Sequence, residues 1–415
     1  MLTALFSAIS GLNANGTSLS VIGDNVANMN TVGYKASRVA FGDVLSQTIT
    51  GTSGNSQIGR GVIVSDISPL FTQGSFETTA SALDMAIDGD GFFMVKENNS
   101  NFYTRAGQFT LDKSGDLVTP DNLKVQGYLY DSGGNATGVV GDISVASLNS
   151  APHPTANAKL SVNLDSRDGV TGPFDLTNTS GTSNFSTSMT VYDSLGNDHL
   201  LTTYFTKTAA NQWEANIVSV TDPSTDPPTY SVIGTQALQF DENGSLTTPD
   251  PPEFTATLDF SPWGADSAQN VKFNITDMSQ YGADSATVFL NQDGFTSGSL
   301  KTLSVSEDGT ITGIFTNGQT KPVARLALAK FTAPTELTKI GRNLYAESFS
   351  SGQPIIGEPG TAGIGRVLSS SLELSNVDLA EEFIKMIAAQ RGFQANSRVI
   401  TTTDDLLQEV VNLKR

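Results

Sequence analysis

The side chains able to do acid–base or nucleophilic chemistry are few in this chain of 415 residues. It has no cysteine and only two histidines, His153 and His199. Thiolate catalysis, disulfides and cysteine-bound metals are therefore excluded, and a histidine-rich metal centre is not expected. Serine and aspartate are abundant, but neither histidine lies in a pattern typical of a Ser-His-Asp triad, and there is no nucleophile-elbow motif. The sequence predicts no catalytic residue and no cofactor.

Acidic clusters are the remaining candidates for chemistry. Asp88-Gly-Asp-Gly91, Asp112-Lys-Ser-Gly-Asp116 and Asp241-Glu-Asn-Gly244 resemble fragments of calcium loops, but none completes the twelve-residue pattern. Asp, Asn and Gly also favour tight turns, so we interpret these segments as turns, with calcium binding as the alternative. Adjacent acids such as Glu381 and Glu382 point about 100° apart on a helix, too far to flank a sugar as a glycosidase requires. We expect them to be solvated.

The net charge of the chain limits the classes of molecule that it is expected to bind. Lys and Arg number 23 against 42 Asp and Glu, giving a formal net charge of -19. Such a chain is not expected to bind nucleic acid without sequence preference, or anionic membranes. Residues 1–23 carry no charge, yet they lack the basic start of a signal peptide and contain too many polar residues for a membrane span. Export, if it occurs, is expected without a conventional cleaved signal.

Both ends of the chain carry an apolar residue at every seventh position, the period of helices that pack along other helices. The N-terminal row is Leu5, Leu12, Leu19 and Val26, and the C-terminal row is Leu372, Leu379, Met386, Phe393, Ile400 and Leu407. A second N-terminal row thins from bulky residues to Gly16 and Gly23, which leaves room for another backbone. We predict that these two glycines and both rows form a polymerisation interface.

The companion positions of the C-terminal row are mostly polar; they are Phe383, Gln390, Ser397, Asp404 and Val411. A single helix from Leu372 to Leu407 would be about 52 Å long and would suit a wall of several helices. Two alternatives stay open. The C-terminal helix could lie on its own β domain, and the N-terminal segment could order only on assembly.

Between the ends, short β-type runs alternate with turn signals. Leu160, Val162 and Leu164 alternate as in a half-exposed strand, and strand patterning resumes after the middle of the chain, from Leu300 to Phe331. We predict a mainly β fold with long terminal α-helices and a nested layout. Residues 1–33 and 372–415 form a terminal helical domain, 34–69 a flexible connector, 70–145 and 296–371 a first β domain, and 146–295 a second β domain inserted into the first.

The segment at the end of the N-terminal apolar row resembles a known family motif. Asn25-Val-Ala-Asn-Met-Asn-Thr-Val-Gly-Tyr-Lys35 closely resembles the N-terminal signature of bacterial flagellar rod and hook proteins. Other motifs similar to this family's occur in the family's order: Leu83–Phe93, Tyr103–Phe109, Ser375–Leu379 and Ala389–Asn396. The length of the chain and the Asn317-Gly-Gln-Thr320 region favour the hook branch of the family over the shorter rod proteins.

The resemblance implies a structural subunit of the curved tube that joins the flagellar rod to the filament and transmits motor torque. It implies helices lining the tube, the first β domain in a middle shell and the inserted domain outside. The implied location is the extracellular hook, attached to the basal body. The implied partners are further copies of the chain, the distal rod and hook–filament junction proteins, and, during assembly, a hook cap and the flagellar type III export apparatus. Neither nucleic acid nor membrane insertion is implied.

Other functions remain as alternatives at this point. A distal rod or hook–filament junction subunit belongs to the same structural class. A secreted adhesin or carbohydrate-active enzyme would explain the acidic, β-rich middle, but it leaves the two heptad rows unexplained.

Overall fold

The structure, a computed structural model, describes residues 2–412 except 45–46, 52–53, 99, 132–133, 147 and 223–228. The described residues form two compact units. The first unit draws on Met1–Ser147, Thr302–Ile314 and Thr320–Arg415, and the second on Leu148–Lys301 and Phe315–Gln319. These bounds differ from the predicted ones, because the terminal helices share a unit with the first β region. The mainly β fold with a helix at each end is confirmed.

The helices are α1 (Leu2–Ala27), the short α2 (Thr179–Thr182) and α3 (Leu379–Asn412). The predicted start of the C-terminal helix at Leu372 is wrong, since Leu372 lies in a strand. Asn376 explains the delay: its Oδ1 accepts from the Ala36 N–H at 2.8 Å and its Nδ2 donates to the Leu70 carbonyl at 2.8 Å. Asp378 then caps α3, accepting from the Ala380 N–H at 2.8 Å.

The strands that precede the second unit are β1 Ser37–Asp43, β2 Gln47–Gly51, β3 Gly54–Ile58, β4 Val62–Pro69, β5 Phe76–Thr78, β6 Met85–Asp88, β7 Phe92–Glu97, β8 Ser100–Thr104, β9 Thr110–Leu111, β10 Leu117–Val118, β11 Lys124–Tyr130 and β12 Ala136–Asp142. The next strands are β13 Asn149–Ser150, β14 Asn157–Asp165, β15 Phe185–Tyr192, β16 Asp198–Ala209, β17 Gln212–Asp222, β18 Thr229–Phe240, β19 Leu246–Thr248, β20 Glu253–Leu258, β21 Gln269–Asn274, β22 Ser279–Tyr281 and β23 Ala286–Gln292. The last are β24 Gly298–Val305, β25 Thr310–Phe315, β26 Thr320–Leu326, β27 Leu328–Lys330, β28 Thr338–Gly341, β29 Leu344–Ala346, β30 Ile355–Gly357, β31 Arg366–Ser369 and β32 Ser371–Glu373.

The main sheet of the first unit has the strand order β25-β26-β11-β7-β8-β29-β28. Its core is aromatic: the ring of Phe331 meets those of Phe92 and Tyr103 edge-on, with centroids 5.9 and 4.7 Å apart. Two smaller pairs, β5 with β32 and β6 with β31, join the start of this region to the segment that leads into α3. The chain therefore enters and leaves the β region of the first unit through neighbouring strands.

The segment 34–69, predicted to be a flexible connector, contains paired strands among its described residues. β1 pairs with β4 and β2 with β3, both antiparallel. α1 covers the β1–β4 ribbon: the Val62 N–H donates to Ser10 Oγ at 3.2 Å, and Gly61 abuts the Ser10 side chain. Small uncharged residues indicated flexibility, whereas the pairing of β1 with β4 and their cover by α1 depend on contacts that the local sequence does not show.

The second unit contains two five-stranded sheets whose buried side chains pack together in two clusters. Leu160, Val162 and Leu164 of β14 pack with Phe205 and Trp213 of the other sheet. Strand β14 pairs with β21, β22 and β23 and is buried on both faces beyond residue 160, so it is not the half-exposed strand predicted. Its polar side chains are satisfied; for example, Ser161 Oγ donates to the Asp277 carbonyl at 2.8 Å.

Two of the three acidic segments, those beginning at Asp112 and Asp241, fold as the predicted turns, whereas Asp88 ends β6 and a bend follows it. Asp112 Oδ1 accepts the N–H groups of Ser114 and Asp116, both at 2.8 Å, and Asp241 Oδ1 accepts those of Asn243 and Ser245 at 2.9 and 2.8 Å. Within the described ranges, no group of three or more His, Asp or Glu side chains is placed to hold a metal. No helix of the described chain combines the length and apolarity needed to cross a bilayer.

Candidate polymerisation interface

The terminal helices α1 and α3 form an antiparallel pair. A Cβ added to Gly11 would lie 2.8 Å from Asn396 Nδ2, and one added to Gly392 would lie 2.8 Å from Asn15 Oδ1. Each asparagine also donates to the glycine carbonyl four residues earlier on its own helix, at 2.7 Å for Asn15 and 2.9 Å for Asn396. Each helix thus packs one asparagine against a glycine of the other helix. Because glycine has no side chain, the two helices approach each other very closely.

The residues that fill the seam between these helices are mostly small or polar. The buried positions are Ala8, Gly11, Ala14, Ile22 and Asn25 on α1 and Glu382, Ala389 and Thr403 on α3. The second row of α3 therefore runs through Glu382, Ala389, Asn396 and Thr403, three residues after each residue of the apolar row, not through the polar companions predicted. A search for bulky apolar residues misses this row.

The predicted interface residues lie at the edges of this seam or outside it. Half-buried positions are Leu5, Leu12, Gly16, Leu19, Val26, Leu379, Met386, Ile400 and Leu407. Phe393 is exposed, Gly23 is exposed, and Leu372 is buried in β32. The structure brings the two apolar rows onto adjacent helices but leaves them only partly covered.

One face of α1 meets neither α3 nor the β1–β4 ribbon. It carries Phe6 and Ile9, which are 64% and 40% exposed, and continues through Gly16 and Gly23. A Cβ added to either glycine would meet nothing within 4 Å. This open face is apolar near the N-terminus and almost flat further along.

The outward side of α3 is also apolar near the start of the helix. Ile384 and Ile387 are 68% and 51% exposed and point away from the seam, and Phe383 beside them is 47% exposed. Large apolar side chains grouped in this way mark a surface that another molecule covers.

A hydrogen-bond network holds the base of the helix pair. Asn25 is buried; its Nδ2 donates to Glu382 Oε2 at 3.2 Å and to the Ser37 carbonyl at 2.9 Å. Tyr34 donates to Asn25 Oδ1 at 3.3 Å, and burial, followed by its hydrogen bond to Asp24, raises the pKa of Tyr34 well above 10. Glu382 was expected to be solvated and is instead 4% exposed, because Asn25 and Lys385 bind its carboxylate.

Gly33 directs the chain from this network into the β region. Its φ of 68° lies in the left-handed region, and a Cβ there would lie 2.6 Å from the backbone of Arg105. Its N–H donates to the Glu373 carbonyl at 2.7 Å. Any other residue would be strained and would also collide with the backbone.

Next to Gly33 lies a buried cluster of three charges. Glu373 is 0% exposed and accepts from Lys35 Nζ at 2.6 Å, from Arg105 at 3.4 Å and from the Gly74 N–H at 3.0 Å. Burial lowers the pKa of Lys35 and of Arg105, and the Glu373 carboxylate opposes both shifts. The cluster joins the segments after α1 and before α3 to the β region. The residues are far apart in the chain, so sequence reasoning missed it.

Comparisons with known proteins agree with this architecture. Four family models match: flagella basal body rod protein over residues 5–35, flagellar hook protein FlgE/F/G D1 domain over 86–166, flagellar basal body protein FlaE D2 domain over 163–295, and flagellar basal body rod FlgEFG protein C-terminal over 368–413.

Full-length relatives and a solved structure are similar as well. The chain is 34% identical to the flagellar hook protein FlgE of Borreliella burgdorferi, over all of both chains, and 35% identical to that of Escherichia coli, over 99% of this chain and 100% of the relative. A crystal structure of a Helicobacter pylori flagellar hook protein has a TM-score of 0.50 and 18% identity, and covers 72% of this chain and 100% of that one. This last likeness concerns the fold alone.

Proposed function

Because the chain belongs to the flagellar hook protein family, we propose that it polymerises through the outward faces of its paired terminal helices. It is a structural subunit of the hook, which is attached to the flagellar basal body. The full-length relatives are hook proteins, so the distal rod, the hook–filament junction and a secreted adhesin are not favoured.

The observation that carries the proposal is that each terminal helix has one covered face and one exposed apolar face. The seam between α1 and α3 is closed within one subunit, while Phe6, Ile9, Ile384 and Ile387 stay in water. Covering the exposed part of one such side chain, roughly half of it, stabilises an assembly by about 1 kcal/mol. A head-to-tail, non-closing contact between these faces generates a helical polymer and not a closed ring.

The predicted apolar rows flank the same surfaces. Leu5, Leu12 and Leu19 are half-buried on α1, and Met386 and Ile400 are half-buried on α3, so each retains area for a neighbouring helix. The flat stretch at Gly16 and Gly23 suits the close approach of a helix from another copy.

Torque transmission follows from how the helices are anchored. The buried Glu373 cluster and the Asn25 network join both helices to the β region. We propose that load carried by the helical layer of the tube passes through these contacts into the β region of each subunit.

A catalytic role is not part of the proposal, since the family is structural. The histidine side chains have packing roles: His199 stacks on Phe260 with centroids 4.1 Å apart and binds Asp193 at 2.9 Å, and His153 stacks on Phe295. His199 is thereby part of the second unit's core.

The proposed protein partners are expected to pack against the terminal helices α1 and α3. Models named for rod proteins match residues 5–35 and 368–413, so the distal rod and the junction proteins are expected to continue the helix packing at the two ends of the tube. The hook cap and the export apparatus are proposed as partners during assembly.

The test replaces Ile384 and Ile387 by serine in the full chain. Both side chains point away from the seam, so the unfolding temperature should stay within about 2 °C, whereas tubes seen by negative-stain electron microscopy should disappear. Val139→Ser is the matched control, because Val139 is also an exposed aliphatic residue (60%) but lies in β12. A normal yield of tubes from the double variant would refute the proposal.

A further inference from the structure

Three asparagines of the chain are followed directly by glycine: Asn15, Asn243 and Asn317. This dipeptide is labile in water, because the nitrogen after the asparagine can attack the side-chain amide and glycine has no side chain to obstruct the attack. Asn15 lies inside α1, where its Nδ2 donates to the Gly11 carbonyl at 2.7 Å. Asn243 and Asn317 lie in turns of the second unit.

These two turns have the same backbone hydrogen bonds. In the Asn243 turn, residues 241–245, the Asp241 N–H donates to the Ser245 carbonyl at 2.9 Å and the Gly244 N–H to the Asp241 carbonyl at 3.1 Å. In the Asn317 turn, residues 315–319, the corresponding distances are 2.9 and 3.1 Å. The φ angle of the glycine is 80° in the first turn and 79° in the second. The attacking nitrogen is therefore held in the same way in both turns.

Three hydrogen bonds hold the side chain of Asn317. Its Nδ2 donates to Ser150 Oγ at 3.0 Å and to the Thr296 carbonyl at 2.8 Å. Its Oδ1 accepts from the Gln319 N–H at 3.1 Å. The side-chain carbon Cγ cannot turn toward the Gly318 nitrogen unless these bonds break.

The side chain of Asn243 is exposed and much less restrained. Within the described part of the chain it makes one hydrogen bond, from Nδ2 to Asp241 Oδ2, and at 3.4 Å this bond is longer than the usual range. The exposed position also gives a departing ammonia molecule a direct path to solvent. The two turns thus differ in the freedom of the asparagine and not in the backbone.

We propose that Asn243 is a site of spontaneous deamidation and that Asn317 is protected from it. The Gly244 nitrogen bonds to Asn243 Cγ, the Cγ–Nδ2 bond breaks, and Nδ2 leaves as ammonia with the proton from the Gly244 nitrogen. Water then opens the five-membered imide, giving aspartate by attack at Cγ and isoaspartate by attack at the backbone carbonyl carbon. One water is consumed and one ammonia is released, without oxidant or reductant. The reaction is independent of polymerisation.

The modification has a structural consequence, because the Asn243 turn joins the two sheets of the second unit. The Gln280 N–H donates to the Gly244 carbonyl at 2.9 Å, and Ser245 forms a β-bridge with Ser279 of β22. Space at the turn is tight, since a Cβ on Gly244 would collide with the Gln280 carbonyl. Isoaspartate adds one carbon to the backbone just before Gly244 and displaces it. The modified second unit is therefore less stable.

The test incubates the full chain in mildly alkaline buffer and follows the peptides that contain Asn243 and Asn317 by mass spectrometry. Deamidation replaces an amide by a carboxyl group and raises the mass of the peptide. Asn243 should convert at least about tenfold faster than Asn317, because the Asn317 side chain must first break two more hydrogen bonds. Equal rates in the folded protein would overturn the proposal.

Two further arms test whether the fold causes the difference. In guanidinium chloride the two asparagines should convert at similar rates, because glycine follows both; a tenfold difference that persists there would overturn the proposal. Ser150→Ala removes one hydrogen bond of Asn317 and should raise its rate in the folded protein several-fold. An unchanged rate for this variant would also count against protection by the side-chain hydrogen bonds and overturn it.

Calorimetry of the incubated protein tests the structural consequence. The transition of the second unit should fall by a few degrees in the unsubstituted chain. Asn243→Gln is the matched control, because glutamine would have to close a six-membered ring and reacts far more slowly, so its transition should stay in place. An equal fall in the two proteins would place the damage elsewhere and overturn the assigned consequence.

Discussion

Replacing Glu373 by glutamine should destabilise the first unit strongly. The side chain keeps its shape but loses its charge, and one amide oxygen cannot replace two carboxylate oxygens that face Lys35, Arg105 and Gly74 at 2.6, 3.4 and 3.0 Å. The amide nitrogen would turn its hydrogens toward a buried cation. Two buried cations would then lack a counter-charge, and breaking such a buried pair costs about 3–5 kcal/mol.

The structure also limits the loss. Lys35 keeps a bond to the Thr72 carbonyl at 2.7 Å, and Arg105 keeps one to the Gly89 carbonyl at 2.9 Å. In a unit of this size, about 2–4 °C of unfolding temperature corresponds to each kcal/mol. We expect the transition of the first unit to fall by about 10 °C, while the transition of the second unit, which contains none of these residues, stays in place.

Differential scanning calorimetry measures both transitions in one experiment. Glu77→Gln is the matched control, because Glu77 is exposed on β5, the strand that pairs with β32. Lys35→Met combined with Glu373→Gln should cost less than the sum of the single changes, since it removes one of the uncompensated cations. A shift for Glu373→Gln as small as that of Glu77→Gln would refute the reasoning.

Two further predictions concern the glycine face and a buried tyrosine. Gly16→Leu and Gly23→Leu should leave the unfolding temperature unchanged or slightly higher, because nothing lies within 4 Å and leucine favours a helix by about 1 kcal/mol over glycine. Tube yield by electron microscopy should nevertheless fall; Gly11→Leu, which meets Asn396, should lower the unfolding temperature instead, and an unchanged yield would exclude close packing at this face. Burial raises the pKa of Tyr103 to about 12, so the folded state holds a proton that the unfolded chain releases near pH 10. The free energy of unfolding should therefore fall between about pH 10 and 12, and Tyr103→Phe should show a smaller fall in denaturant titrations; equal slopes would contradict the assignment.

Local signals in the sequence were sufficient for the elements whose causes are local. The Asp-x-x-Gly segments predicted turns because the aspartate accepts N–H groups two and four residues later, as Asp112 and Asp241 do. The left-handed conformation of Gly33 likewise has a local cause, because glycine has no Cβ to oppose it. Seven-residue periodicity identified both terminal helices.

The features that failed depend on distant contacts. The seam uses Gly11, Asn15, Gly392 and Asn396, and none of these carries a hydrophobic signal; only the meeting of two remote helices makes them the centre of the seam. Likewise, polar Asn163 is buried in β14 because its Oδ1 accepts from Ser279 and from the Tyr281 N–H. Alternation within one strand contains no information on such partners.

The buried cluster of Lys35, Arg105 and Glu373 also could not be predicted from the local sequence. Lys35 and Arg105 lie in segments that resemble family motifs, but nothing in either segment indicates that both contact Glu373. A resemblance marks the residues, whereas their physical role depends on burial and on a counter-charge more than 250 positions later in the chain.

The packing of Asn15 and Asn396 against glycines of the opposite helix has a mechanical consequence. Sliding the helices past each other by one turn would set Asn15 against Asn396 in one direction, and in the other it would move both out of the notches left by the glycines. The seam therefore resists sliding of one helix along the other, since close-packed interiors do not deform gradually. If the helix pair of each subunit is rigid, we expect a bending tube to deform at the contacts between subunits.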